Sequence, residues 1–169
     1  MGLVGAFCGS SNYGIYGNIK NIRQDLNMSK GGYRKDLKQY FRSKWEANIA
    51  RYYRYIGEFY IYEYKEFEFK GIKRGSRYYK PDFYLPASNR WIEIKGWFRK
   101  TDKTKLKRFK KYYPEEFKRL RFVIPDKYAR DKANGEMIKF LCDGLGIDFN
   151  EIISYKEMEK SGSLIPHWE

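Results

Sequence analysis

The sequence predicts an α+β protein, α/β in the broad sense, in which helices flank a central mixed β-sheet of four to five strands. Three observations support this prediction. The apolar patterns between residues 43 and 124 run in the order helix, strand, strand, strand, helix, strand. The length of 169 residues suits one domain with a substantial core. The hydrophobic content of 42% is spread along the chain and supports a globular fold.

The first helix is predicted from about Ser43 to Ile56. Ser43 and Glu46 fit the S-x-x-E pattern of a capping box, apolar residues follow at helical spacing, and Gly57 ends the pattern. Glu46 has two interpretations at this stage. It lies beside the apolar stripe and can point along the seam between helix and sheet, but a glutamate at the third helical position also commonly caps the backbone.

A hairpin is predicted next. Residues 59–69 alternate aromatic and charged side chains, residues 71–75 form a glycine-flanked turn, and residues 77–85 return as the second strand. Pro81 interrupts that strand, and a proline within a strand marks an edge, a bulge or a bend. A bend here would turn Asp82 away from the ladder and towards a ligand.

The third strand is predicted at residues 90–95, after a turn at 86–89. Because side chains alternate along a strand, Glu93 and Lys95 share one face with Trp91, while the two isoleucines take the other face. Two carboxylates, Asp82 and Glu93, and one lysine therefore converge over a buried sheet. Carboxylate oxygens are preferred ligands of Mg²⁺, and a nearby ammonium can hold or deprotonate a water.

A lysine-rich amphipathic helix is predicted from Thr101 to Tyr113, with Thr101 or Asp102 as its cap, and Pro114 ends it. Eight basic residues and one acidic residue lie between positions 99 and 111. An ordinary solvated helix face is one interpretation, but lysines without interspersed glutamates forgo i,i+4 pairing, which favours a nucleic-acid surface. The predicted DNA-binding residues are Arg42, Arg99, Lys100, Lys103, Lys105, Lys107, Arg108 and Lys111.

The rest of the chain is predicted to add a strand at 119–124, a helix at 135–145 closed by Gly146, and an apolar pair at 152–153. Residues 1–32 contain seven glycines and no sustained period, which predicts a flexible arm. The basic residues of this arm either touch phosphate or only solubilise it. Residues 33–169 are predicted to form a single domain.

Charge and composition narrow the classes of partner. The chain has 35 Lys+Arg against 21 Asp+Glu, a formal charge of +14 and a pI of about 9.6, which favours a polyanionic partner over an uncommitted basic surface. No stretch approaches the length of a membrane-spanning helix. One histidine and two distant cysteines argue against a Cys/His zinc module or a Ser-His-Asp triad, and a reduced, cytoplasmic setting is expected. Any metal must be held by oxygen.

The motif and its context resemble the PD-(D/E)xK nuclease superfamily. Pro81-Asp82 is separated by ten residues from Glu93-Ile94-Lys95, and Glu46 lies on the preceding helix. Within that superfamily the chain is most similar to the phage endonuclease I group of Holliday-junction resolvases. The stretches that carry this similarity are 41–46, F-R-S-x-x-E; 81–86, P-D-F-x-L-P; 93–96, E-x-K-G; 146–149, G-I-x-F; and 164–166, L-I-P.

The resemblance implies a restriction-endonuclease-like core and a set of site residues. Asp82 and Glu93 would ligate Mg²⁺ or Mn²⁺, Glu46 would complete the site directly or through water, and the Ile94 carbonyl is an additional candidate ligand. Lys95 would position and help activate the attacking water. The products would carry 5′-phosphate and 3′-hydroxyl ends. Paired cuts on a four-way junction further imply a homodimer.

The expected function is therefore a metal-dependent, structure-selective DNA endonuclease that resolves four-way junctions. Similar central motifs occur in homing, restriction and transposon-end nucleases, so these remain alternatives. A catalytically silent DNA-binding module of the same fold is another, as is a surface ion pair on an unrelated α+β protein. The tyrosine-rich hairpin around Tyr60, Tyr62 and Tyr64 and the N-terminal arm are the candidate dimer surfaces.

Overall fold

The computed structural model describes residues 31–169; residues 1–30, which make up most of the predicted arm, lie outside the described residues. The nine strands of the described chain are β1 (Gly32–Arg34), β2 (Gln39–Phe41), β3 (Ile61–Tyr62), β4 (Phe67–Glu68), β5 (Tyr78–Tyr79), β6 (Phe83–Leu85), β7 (Arg90–Ile94), β8 (Leu120–Ile124) and β9 (Ile153–Ser154). Its α-helices are α1 (Lys44–Tyr55), α2 (Lys100–Tyr112), α3 (Pro114–Lys118), α4 (Lys132–Lys139) and α5 (Tyr155–Glu159).

A five-stranded sheet in the order β3-β6-β7-β8-β9 forms the centre of the domain. The β3/β6 and β6/β7 pairs are antiparallel, whereas β7/β8 and β8/β9 are parallel, so the sheet is mixed. Helices cover both of its faces. The predicted α+β architecture is therefore confirmed, as is the central position of the third predicted strand.

Each face of the sheet packs against a different helix. Leu106 and Phe109 of α2 lie in one buried cluster together with Trp91. Ile49 of α1 lies in the other, together with Ile92 and Ile94 of β7. The predicted alternation along β7 is thus confirmed, and it fixes Glu93 on the α2 side of the sheet.

The predicted hairpin is broken into two short ladders. Strand β3 pairs with β6 in the central sheet, whereas β4 pairs with β5 in a separate two-stranded sheet. The break falls at Glu63, which has a left-handed φ of 48°, and at Pro81, where the predicted bend occurs. Non-glycine residues seldom adopt such a φ, so the backbone of Glu63 is held by its surroundings.

Several helix boundaries differ from those predicted. Ser43 caps α1 as expected, but the buried stripe passes through Tyr53, while Ile56 is exposed. Helix α2 begins at Lys100 with Arg99 as its N-cap; the prediction of Thr101 or Asp102 was wrong because the Asp102 carboxylate reaches back to the Arg99 N–H. The predicted helix at 135–145 begins at residue 132 and ends in a π-helical turn at Phe140–Gly144.

Three short elements had no sequence prediction: the β1/β2 hairpin, α3 and α5. Pro114 does end α2, but it also begins α3, because proline suits the first turn of a helix. Strand β1 starts at Gly32, inside the range that composition assigned to the arm. None of the helices within residues 31–169 combines the length and apolar character that crossing a bilayer requires.

Candidate active site

Strands β6 and β7 bring Asp82 and Glu93 together. Phe83 of β6 pairs with Ile92 of β7 in the antiparallel register. Asp82, just before Phe83, is therefore opposite Glu93, just after Ile92. Asp82 is 6% exposed and Glu93 is 3% exposed. The bend at Pro81 frees Asp82 from the ladder, and its side chain is directed to the end of β7. Two buried carboxylates thus meet at this end of the β6/β7 pair.

Both oxygens of Asp82 have protein partners. Oδ2 accepts a hydrogen bond from the Ile94 N–H at 2.7 Å, which ties Asp82 to the backbone of β7. Oδ1 accepts from Nη2 of Arg42 at 2.7 Å. Because the N–H and C=O of one strand residue point to the same side, the Ile94 carbonyl is also expected on the Asp82 side. Ile94 therefore remains a candidate ligand.

Both carboxylate oxygens of Glu93 also have protein partners. Its Oε1 lies 2.9 Å from Nζ of Lys95, and its Oε2 accepts from the Tyr79 hydroxyl at 2.8 Å. Asp102 of α2 is the next acid along, with Oδ1 4.0 Å from the same Lys95 ammonium. The structure thus brings Asp82, Glu93 and Lys95 into one site, as the sequence predicted.

Glu46 lies beside this site but makes its own contacts. Its Oε2 accepts from the Arg42 N–H at 3.0 Å and from the Tyr62 hydroxyl, and its Oε1 accepts from the Ser43 hydroxyl at 2.9 Å. Both sequence interpretations are therefore partly correct. Glu46 caps the chain entering α1, yet its Oε2 is 3.9 Å from Nε of Arg42, whose other end holds Asp82.

Four site residues escaped the sequence analysis or were given another role. The Tyr62 hydroxyl donates to Glu46, and the Tyr79 hydroxyl donates to Glu93. Oε1 of Glu63 lies 3.0 Å from Nε of Arg42. Arg42 was predicted to bind DNA, whereas its guanidinium points inward to Asp82 and Glu63. The only local signal was the alternation of aromatic and charged residues in 59–69, which could not tell which tyrosine would meet an acid.

The electrostatics of the site are those of crowded acids. Burial, followed by the negative charges of Glu93 and Glu46, raises the pKa of Asp82 well above its ordinary value of 3.8. The adjacent Glu93 raises the pKa of Lys95 above its ordinary value of 10.5, although burial opposes this. Lys95 is therefore an ammonium at neutral pH. The raised pKa of Asp82 is the response of a buried carboxyl whose nearby positive charge does not compensate for the loss of water and for the neighbouring acids.

A cavity of about 70 Å³ opens between these groups, lined by nine residues. A single water needs roughly 10–15 Å³ of such space, so an ion with some of its waters fits. The residues lining it are Arg42, Tyr79, Lys80, Asp82, Glu93, Lys95, Asp102, Lys105 and Leu106. Glu46 does not line this cavity.

The oxygen donors of the cavity suit a hard divalent cation. Within residues 31–169, no group of three or more His, Cys, Asp or Glu side chains is arranged to hold a metal. Two carboxylates, a backbone carbonyl and waters remain, which is the mixed set that Mg²⁺ accepts. The residues present are therefore compatible with Mg²⁺ or Mn²⁺, with Asp82 and Glu93 as candidate direct ligands, while Glu46 does not line the cavity.

The basic residues of α2 fall into two groups. Lys100, Lys107 and Lys111 are exposed, and no salt bridge within residues 31–169 involves them. Lys105 lines the acidic cavity, one turn from Asp102. At about 100° per residue, Lys100, Lys107 and Lys111 share one side of α2, which we call the lysine path, whereas Lys105 lies on the side that faces the cavity.

The remaining basic residues have structural contacts. Arg108 donates to the carbonyls of Ser76 and Arg74 at 2.8 and 3.2 Å and so holds the turn between β4 and β5. Lys103 lies 5.2 Å from the ring of Phe140, and Arg99 lies 5.5 Å from the ring of Trp97. These contacts account for part of the unusual basic content of the helix.

The three tyrosines that were predicted to form a dimer surface make different contacts. Tyr62 is engaged with Glu46, and Tyr60 packs edge-on against Phe83. Tyr64 is 55% exposed, although its ring stacks on Tyr84. Of the three tyrosines, Tyr64 alone presents a large free surface to a partner.

A larger cavity of about 720 Å³ lies elsewhere, lined by residues that include Trp45, Asp126, Asn134 and Tyr155. It contains neither Asp82 nor Glu93. Size alone therefore does not locate the chemistry, and the smaller acidic cavity is the better candidate site.

Comparison of the chain with models of protein families, with curated proteins and with solved structures finds no match.

Proposed function

We propose that this chain is a metal-dependent DNA endonuclease that uses Mg²⁺ or Mn²⁺ and resolves four-way junctions. One observation carries the proposal: Asp82 and Glu93 are buried face to face, and Lys95 lies 2.9 Å from Glu93. Burying two like charges is costly unless a cation joins them. A carboxyl in a cavity whose pKa is raised by burial and by neighbouring acids, as that of Asp82 is, characterises functional sites.

Each residue has a distinct role in this proposal. Asp82, Glu93 and the Ile94 carbonyl would hold the cation, and Glu46 positions Arg42, which pairs with Asp82. When bound, the cation would supply positive charge to a phosphate oxygen and to the leaving 3′-oxygen. Lys95, as an ammonium, would hold the attacking water through a hydrogen bond to its oxygen. That oxygen would bond to phosphorus as the P–O3′ bond breaks, one water proton would pass to solvent and the 3′-oxygen would take up a proton, which leaves a 5′-phosphate and a 3′-hydroxyl.

The cleavage test uses purified protein, a fixed four-way junction and a linear duplex of the same arm sequence. With Mg²⁺, paired cuts on two opposite strands of the junction are expected, and the nicked products should be resealed by a DNA ligase because their ends are 5′-phosphate and 3′-hydroxyl. A chelator should abolish cutting. Cutting of the duplex alone would instead favour a homing, restriction or transposon-end type of nuclease.

The lysine path is the proposed contact for the DNA backbone. Neutralising Lys107 and Lys111 with glutamine should reduce the slope of log affinity against log salt by about 2, because each lost phosphate contact removes about 0.9. A matched control is the pair Lys35→Gln and Lys160→Gln, two exposed lysines without a salt bridge within residues 31–169, near Leu37 and Met158, which pack on the opposite face of the sheet. An equal loss in both pairs would contradict a specific path.

A homodimer is part of the proposal, because two identical sites can make the paired cuts that resolve a junction. Sedimentation of the free protein and of its junction complex should give the mass of two chains per junction. A single chain per junction at saturating protein would overturn the dimer while leaving the nuclease proposal intact.

A catalytically silent junction-binding module is a second candidate, favoured by one observation. Arg42 already supplies a positive charge to Asp82 at 2.7 Å. If that ion pair were permanent, the site would need no metal and would only stabilise the fold. Junction binding with no cleavage in Mg²⁺ or Mn²⁺, and no binding of either ion, would select this candidate.

A further inference from the structure

All four carboxylate oxygens of Asp82 and Glu93 are engaged by groups of this chain. The donors are the Ile94 N–H and Arg42 for Asp82, and Tyr79 and Lys95 for Glu93, at distances of 2.7 to 2.9 Å. Each oxygen keeps a second lone pair for a cation, but a divalent cation on these carboxylates would lie close to the guanidinium and the ammonium already paired with them, and like charges repel. The positively charged group that moves away therefore determines how tightly the cation binds.

Arg42 is the donor best able to leave. The Ile94 N–H belongs to the backbone of β7, and Tyr79 is only 2% exposed. The side chain of Lys95 is 25% exposed, whereas that of Arg42 is 54% exposed. Arg42 lies just before α1 on a long, flexible side chain at the mouth of the cavity. It can move aside without disturbing either strand of the site.

Glu63 offers Arg42 a second anionic partner. Its Oε1 is 3.0 Å from Nε of Arg42, and its Oε2 is held by Lys80 at 2.9 Å. The left-handed backbone of Glu63 donates its N–H to the Asp82 carbonyl at 2.9 Å, so this carboxylate is fixed beside the site. A non-glycine residue seldom occupies this conformation unless its surroundings enforce it.

We propose that Arg42 is an internal counter-cation that competes with the divalent metal for Asp82, and that Glu63 receives Arg42 when the metal binds. This inference rests on the proposed function and deepens it by naming what sets the metal affinity. If Arg42 holds Asp82 in about nine of ten metal-free molecules, the apparent dissociation constant is about ten times the intrinsic one.

Titration with Mn²⁺ alone, followed by calorimetry, tests the competition. Arg42→Gln should bind Mn²⁺ about tenfold more tightly than the wild type, since the competing charge is gone. Arg42→Lys should give an intermediate affinity, because it keeps the charge but loses the planar fork that pairs with Asp82. An unchanged affinity in Arg42→Gln, with the fold verified by circular dichroism in chelator, would overturn the inference.

Glu63→Gln tests the second partner. Without Glu63, Arg42 should remain on Asp82, and Mn²⁺ binding should weaken several-fold. In the Arg42→Gln background the same change should have much less effect, because there is no arginine left to receive. Equal effects of Glu63→Gln in both backgrounds would show that Glu63 acts on the metal directly and would overturn its role as the partner of Arg42.

The matched control is Arg119→Gln, which removes another ion-paired arginine, one that contacts Glu116 at the opposite end of the β7/β8 pair. Its Mn²⁺ affinity should equal that of the wild type.

Failure of the proposed metal-dependent nuclease and failure of the Arg42 competition give different results. No Mn²⁺ binding by either the wild type or Arg42→Gln overturns the metal cofactor itself, and the inference with it. Metal-dependent cleavage by the wild type with no gain in Arg42→Gln overturns only the inference.

Discussion

Two polar clusters each include residues of α1, and the pKa shifts among their acids have opposite directions. The acidic cluster contains Glu46, Asp82, Glu93, Lys95 and Arg42 at the active-site end. The anchor cluster joins other parts of the chain to the same helix. Its members are Arg34, Asp36, Asn48, Arg51 and Glu169.

In the anchor cluster each acid has a complete arginine partner. Arg51 is 5% exposed and binds Asp36 through Nε and Nη2, while its Nη1 reaches Glu169 at 2.9 Å. The hydrogen bond from Arg51 lowers the pKa of Asp36, although burial opposes it. For Glu169, burial raises the pKa, but hydrogen bonds from Arg51 and Arg34 outweigh it and the pKa is lowered.

The acidic cluster also pairs acids with basic side chains, but the pKa of its central acid is shifted in the opposite direction. Burial, followed by the charges of Glu93 and Glu46, raises the pKa of Asp82, and Lys95 and the hydrogen bond from the Ile94 N–H do not offset these effects. Ion-paired acids whose pKa is lowered serve the fold, whereas a buried acid whose pKa stays raised despite its partners indicates a place for a further positive charge. The difference between the clusters therefore separates a structural site from a candidate catalytic one.

The largest expected contrast is in cleavage, and the same substitution can be made in each cluster. Asp82→Asn should reduce metal-dependent cleavage by about 10²- to 10³-fold, the scale of losing one preorganised electrostatic contact. Asp36→Asn should retain cleavage within a few-fold at temperatures where it is folded. Glu93→Gln should follow Asp82→Asn. All three are measured as single-turnover rates on the same junction.

Junction binding provides the control for that contrast. Asp82→Asn removes a negative charge near the phosphates, so its affinity for the junction in chelator should be equal or higher. Substantial cleavage by Asp82→Asn would remove the acid from the mechanism. An equally large loss in Asp36→Asn would mean that the two clusters do not differ in the way their pKa shifts indicate.

Much of the acidic cluster could be predicted because its signals are local. The proline bend before Asp82, the short turn and the alternation of β7 together bring Asp82, Glu93 and Lys95 onto one spot. The capping pattern at Ser43 likewise gave the correct position of α1. In each case, residues that lie within about a dozen positions of one another determine the geometry.

The features of the two clusters that the sequence did not predict depend on contacts between distant parts of the chain. Arg42 meets Asp82 across 40 residues, and Arg51 meets Glu169 across 118. Nothing near Arg42 in the sequence indicates that it points at an acid instead of at DNA. The interruption of the hairpin is different, because it falls at Pro81, where the sequence predicted a bend, and at Glu63.

A second contrast concerns the pH dependence of stability in chelator. The lowered pKa of Asp36 means that its stabilisation is present above its unfolded value, near 3.9, and is lost as the pH falls. Asp36→Asn should therefore lose about 2 kcal/mol at pH 7, typical of a hydrogen bond to a charged group, and little at low pH. Urea unfolding, monitored by tryptophan fluorescence, measures the free energy of unfolding at both pH values.

For Asp82 the sign is reversed. Its pKa is raised, so the wild type is favoured while Asp82 is protonated, and this advantage is lost as the pH rises through the raised value. Asp82→Asn should match the wild type near pH 4 and be the more stable of the two at pH 7 and above. If both variants were destabilised most at neutral pH, Asp82 would be an ordinary ion-paired acid like Asp36.

The smallest expected contrast is the response of stability to metal. At a Mg²⁺ concentration ten times the dissociation constant, binding to the folded state adds about 1.4 kcal/mol, which for a domain of this size is a rise in Tm of roughly 3–6 °C. The wild type and Asp36→Asn should show this rise, and Asp82→Asn should not. A rise retained in Asp82→Asn would locate the cation away from the acidic cluster, and one lost in Asp36→Asn would mean that the anchor cluster takes part in holding it.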